Sequence, residues 1–180
     1  MRRIALLAFC LSIASFSSYS QEFNIKLKQP VREFMVGVSE VTPPWSLGAE
    51  ATYLSFPFAI PFDDGGRGLL GFGVQGAYYI EFEDGINPLR ICALFDGRFQ
   101  FKEKVGVDID TGLGFLFAGG GAAFMGTMGI GVPIKLSDSM YIRPYAGCDF
   151  SGNPNYDVLD YYSSQAIIWL HASICAGFIL

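Results

Sequence analysis

Strict alternation of apolar and polar side chains over long stretches limits how this chain can fold. In LRICALFDGRFQF, residues 89–101, Leu89, Ile91, Ala93, Phe95, Gly97, Phe99 and Phe101 share one parity. Arg90, Cys92, Leu94, Asp96, Arg98 and Gln100 share the other. Successive strand residues point to opposite faces, so the stretch is a strand with one apolar and one polar face.

The pattern recurs along the chain. Val105, Val107, Ile109, Leu113, Phe115 and Phe117 oppose Lys104, Gly106, Asp108, Asp110, Gly112 and Gly114. Leu70, Phe72, Val74, Tyr78, Ile80 and Phe82 oppose Gly71, Gly73, Gln75, Tyr79 and Glu81. Similar stretches cover 122–135 and 168–180, and weaker ones 31–39, 50–62 and 139–150, giving eight strands and no amphipathic helix. Turn-forming residues separate them, among them Asp63-Asp64-Gly65-Gly66, Glu83-Asp84-Gly85 and Gly119-Gly120-Gly121. Pro57, Pro61, Pro133 and Pro144 fall in or beside strands, where bulges or frayed ends are expected. An even strand number brings both ends of the sheet to one side. Long connections are expected after strands 1 and 7, and tight ones after strands 4 and 6.

Alternation alone does not say which face is buried. A lipocalin-like soluble barrel turns its apolar face inward, and a membrane barrel turns it outward. The polar face is rich in glycine, including Gly71, Gly73, Gly106, Gly112, Gly129, Gly131 and Gly177. A narrow interior needs such small residues beside large ones. The apolar face is almost uncharged; Arg32 and Glu50 are placed on it near strand ends. The reading is an all-β, eight-stranded antiparallel up-and-down transmembrane β-barrel.

Composition agrees with export to an envelope. Arg2 and Arg3, the apolar run Ile4–Ile13 and Ser18-Tyr19-Ser20 form a signal peptide over 1–20, leaving 21–180 as one barrel domain with strands from about 31 to 180. Removing Arg2 and Arg3 from the 12 basic residues leaves 10 against 17 acidic, a net charge of −7, which argues against nucleic acid. Cys92, Cys148 and Cys175 remain of the four cysteines, an odd number that fits buried free thiols better than a disulfide framework.

Charges inside a small barrel need partners. Arg90, Arg98, Lys104, Lys135 and Arg143 share the polar face with Glu33, Glu81, Asp96, Asp108, Asp110 and Asp149, a nearly balanced set. Hairpin registers are expected to oppose Glu81 to Arg90 and Arg98 to Asp108. The network would fill the lumen and fix register.

With these features the chain resembles the small eight-stranded outer-membrane barrels of Gram-negative bacteria, the group that includes the membrane domain of outer membrane protein A. The resemblance spans roughly residues 31–180. It is carried by YIRPYAGCDF, 141–150, and by the final strand Ala176-Gly177-Phe178-Ile179-Leu180, which is similar to the signal read by the barrel insertion machinery. It implies an outer-membrane location, contact with membrane lipids and lipopolysaccharide, and no cofactor. Loops 40–49 and 151–162, with Trp45, Tyr156, Tyr161 and Tyr162, offer a face to a surface partner.

Two patterns invite a chemical reading. His171-Ala172-Ser173 resembles the His-x-Ser pair of outer-membrane lipid A deacylases. However, no acid follows Ser173, and parity turns both side chains into the lumen. Asp108-Ile109-Asp110 puts two carboxylates on one face, as acid–base pairs and cation sites do; Arg98 nearby makes an ion-pair network the simpler account. One histidine and divergent cysteines give no metal cluster. The expected role is structural or surface-interacting and non-enzymatic. The alternatives are a lipid A-modifying enzyme, a soluble lipocalin-like carrier and a narrow channel.

Overall fold

The computed structural model describes residues 30–42, 46–62, 65–81, 87–101, 104–152 and 167–180. The expected signal peptide, 1–20, lies outside the described residues, as do Trp45, Tyr156, Tyr161 and Tyr162. The strands are β1 Val31–Thr42, β2 Ser46–Pro61, β3 Arg67–Glu81, β4 Leu89–Phe101, β5 Val105–Ala118, β6 Gly121–Gly131 resuming at Ile134–Lys135, β7 Met140–Ser151 and β8 Ile167–Ile179. Each pairs antiparallel with the next, and β8 pairs with β1, so the sheet closes into an eight-stranded barrel. Closure leaves no edge strand. Glu33 opposite Ile179, and Leu180 N donating to Arg32 O at 2.9 Å, bring the first and last strands together at one end.

The apolar face is outside. Phe72, Phe95, Ile109, Leu113, Phe115, Phe124 and Ile174 are all more than half exposed, whereas Arg90, Asp96, Asp108 and Arg143 are almost completely buried. Water does not tolerate an apolar surface of this extent on a monomer. The lipocalin-like alternative, with an apolar cavity, is therefore wrong.

Glycines make the narrow interior possible. A side chain at Gly131 would run into Arg143 and Asp108, one at Gly129 into the Tyr145 hydroxyl, and one at Gly177 into the Tyr141 ring. We expect Gly177→Val to destabilise the barrel by roughly 1–3 kcal/mol through overpacking. On the outer face, a Cβ at Gly126 meets nothing nearer than 3.8 Å, so Gly126→Ala should stay within about 0.5 kcal/mol of wild type. Urea unfolding in detergent micelles measures both. The tightest connection, between Ala118 and Gly121, uses Gly119 and Gly120 at φ 55 and 84. Two central residues at positive φ match the twist of a hairpin, and glycine meets that demand without strain.

Several expectations need correction. The connection after β1 is short, residues 43–45, because β1 and β2 run on through residues expected in a loop. Residues 152–166, after β7, form the long connection that was expected there. Glu50 points into the barrel and not to the apolar face. The register slips between Ser55 and Phe58, around Pro57, so the outward parity of Phe58 does not extend back to Glu50. Pro57, Pro61 and Pro133 sit at a bulge, a strand end and a strand break as expected. Pro144 lies in an unshifted ladder. Its missing N–H falls opposite the break in β6, where Val132 N still donates to the Pro144 carbonyl at 3.0 Å.

Candidate functional site: the filled polar lumen

Alternation sends every second residue inward, so each strand contributes polar groups to one shared core. Towards the end that holds the termini, Arg98 Nη1 on β4 donates to both carboxylate oxygens of Glu33 on β1, at 2.7 and 2.8 Å. Tyr141 OH on β7 donates to the same carboxylate at 2.5 Å. Arg98 Nη2 reaches Asp108 on β5 at 3.4 Å, and its guanidinium lies 4.7 Å from the Phe56 ring centre. Arg143 on β7 donates to Asp108 through Nε and Nη2, each at 2.9 Å, and to Asp110 at 2.8 Å. Tyr145 OH holds the other oxygen of Asp110 at 2.7 Å. Asp96 stands directly opposite Asp110 in the ladder, 3.9 Å from Arg143 Nη2.

A second group is centred on Arg90. Its Nη1 donates to Asp149 at 2.7 Å and its Nη2 to Gln75 at 2.9 Å, with Glu50 at 3.7 Å. His171 lies 3.5 Å from Arg90 Nη1 and 3.6 Å from Asp149, and stacks on Tyr145 with ring centres 5.0 Å apart. That stack joins the two groups. Ser173 Oγ and Cys175 Sγ donate to Glu50 Oε1 at 2.8 and 2.9 Å.

The arrangement differs from the expected one in four ways. Lys104 is exposed at the open end, and Lys135 is half-buried there, pairing with exposed Asp138 at 3.3 Å; neither belongs to the buried network. Ala77, not Glu81, stands opposite Arg90, because β3 runs on past the start of β4 in the stagger that barrel closure requires. Arg98 does stand opposite Asp108. The charges do not balance: among the described residues seven buried carboxylates, Glu50 included, face three buried guanidiniums. Each arginine therefore serves two or more acids. Glu50, Gln75 and Tyr141 belong to the network without having been singled out. Tyr141 and Gln75 were legible from parity; Glu50 was hidden by the bulge.

The described residues do not arrange His171 and Ser173 as a serine–histidine pair. A catalytic serine donates to a positioned base that an acid orients, usually an imidazole. Here Ser173 donates to a carboxylate, and His171 packs against Arg90 and Asp149. Asp108 and Asp110 are held by Arg143, and no His/Cys/Asp/Glu group suited to a metal occurs among the described residues. Cys92, Cys148 and Cys175 are free thiols, the first and last buried inside.

Comparison with known proteins adds the fold. No family model matches the chain, and no curated protein matches it. Among solved structures, Neisserial surface protein A superposes with TM-score 0.55 at 11% identity, over 85% of this chain and 97% of that one. A de novo designed transmembrane β-barrel gives 0.52 at 11% identity, over 85% and 98%. The outer membrane enzyme PagL gives 0.51 at 10% identity, over 81% and 97%. The chain therefore has the fold of small eight-stranded transmembrane barrels, a fold that does not by itself decide whether a member is an enzyme.

Proposed function

We propose that this chain is an integral outer-membrane barrel of a Gram-negative bacterium, with a side-chain-filled lumen and a structural or surface-interaction role without catalysis. The observation that carries this reading is the inversion of polarity: phenylalanine, leucine and isoleucine outside, ion pairs inside. Only a lipid surround makes that inversion favourable. The end with the termini carries the connections 62–66, 102–104 and 136–139, and the opposite end carries 43–45, 82–88, 119–120 and the one long connection, 152–166. The single long connection supports an orientation with the termini on the periplasmic side and residues 152–166 outside the cell. Membrane lipids and lipopolysaccharide surround the belt, the barrel insertion machinery reads the final strand, and a surface partner meets residues 151–162; the 40–49 stretch, mostly strand, is left out of that face.

The filled lumen supports this reading over a channel. Planar-bilayer recording of the purified protein should show no discrete conductance steps; steps of uniform size would favour the channel. Replacing Ser173 by alanine should leave the lipid A profile of expressing cells unchanged by mass spectrometry. A lost lipid A species would move the assignment to a lipid-modifying enzyme.

A further inference from the structure

The chain is acidic, yet among the described residues the lining of one mouth is basic. A cleft of about 420 Å³, counted out to its open side, lies at the end that holds the termini. Arg67, Lys104 and Lys135 stand around it, and Arg98 and Glu33 line it more deeply. Both oxygens of Glu33 accept from Arg98, and one also accepts from Tyr141. Arg67 Nε donates to neutral Gln100 at 2.8 Å. Among the described residues Lys135 is matched only by Asp138, which is fully exposed. Arg98 is 5% exposed, and its Nη1 and Nη2 are taken by Glu33 and Asp108, so at the cleft it acts as a charge beneath the rim and not as a free donor. Four cations around one opening repel one another, and an anion bound among the rim cations relieves that repulsion.

We propose that this cleft binds a phosphate-type oxyanion, held by Lys104, Lys135 and Arg67 above Arg98. Such a group is supplied either by free phosphate or by the headgroup of an anionic phospholipid in the adjoining leaflet. Carboxylates bind guanidinium similarly, but two lysines and two arginines around one opening suit a more highly charged, several-oxygened group.

The test compares wild type, the double variant Lys104→Ala/Lys135→Ala and the charge-keeping Lys104→Arg/Lys135→Arg. All are held in neutral, phosphate-free maltoside micelles at fixed ionic strength. Both lysines lie outside the buried network, so a retained heat-dependent gel mobility shift verifies folding of each. Inorganic phosphate is titrated by calorimetry, and retention of added phosphatidylglycerol is read by native mass spectrometry. Saturable phosphate binding, weakened about tenfold or more in the alanine variant and kept in the arginine variant, supports the site with free phosphate as its ligand. Phosphatidylglycerol retained in that same order, without phosphate binding, supports the site with a lipid headgroup as its ligand. If neither probe separates the alanine variant from wild type, the proposal is overturned.

Discussion

Arg143→Met destabilises the folded barrel by about 3–5 kcal/mol, the cost of stranding buried charge. Methionine keeps the volume of the arginine stem and vacates only the guanidinium head, so stranded charge outweighs the small cavity. It leaves Asp108 with only the 3.4 Å contact to Arg98, Asp110 with Tyr145, and Asp96 with no cation within 4 Å. Adding Asp108→Asn to Arg143→Met removes one stranded charge and recovers part of the loss, because the effects of groups in direct contact are not additive. By contrast, Lys135→Met breaks only a pair with an exposed acid and costs less than about 1 kcal/mol. Urea titration in micelles, followed by gel mobility, ranks the three. If Arg143→Met and Lys135→Met cost the same, the buried network is not what holds the barrel.

Leu113→Arg produces the second large effect. Leu113 sits mid-strand on β5, 61% exposed, in the centre of the apolar belt. Arginine at the bilayer midplane costs about 2–4 kcal/mol, and near the interface about 0–1 kcal/mol. Phe101→Arg, at the end of β4, should therefore be mild. The measurement is refolding into phospholipid vesicles across a denaturant series. In water the order vanishes, since an exposed leucine replaced by arginine is harmless to a soluble barrel. The same pair of variants thus reports on the solvent as well as on stability.

Much of the fold was legible because the β4 and β5 stretches alternate without interruption. Their shared tight turn gave the right register, Arg98 against Asp108. The opening question of which face is inside was answered by glycine: only a crowded interior has use for Gly129, Gly131 and Gly177 beside Tyr145, Arg143 and Tyr141. Three things were not legible, each for a physical reason. Strand stagger is a property of the closed ring, so no single hairpin shows that β3 overruns β4. The bulge at Pro57 reverses parity within 50–62, so no single alternation places both Glu50 and Phe58 correctly. Charge balance followed from misplacing Glu50, together with counting Lys104 and Lys135 as interior when they lie at the mouth. The lumen's polar character was thus read from residue types, while its acidic excess and the sharing of each arginine required the closed barrel. The His171–Ser173 pair shows the same limit: spacing put both side chains on one face, but only the fold shows Glu50 taking the serine proton donor.

The central claim is that an apolar exterior and an ion-paired interior make this chain a closed barrel in the outer membrane. Fractionating cells that express it, and running the membrane fraction on a denaturing gel with and without boiling, tests that most directly. The account predicts recovery in the outer membrane, with an unboiled species that migrates apart from the boiled chain. Recovery in the soluble periplasm, with one mobility under both conditions, would contradict it.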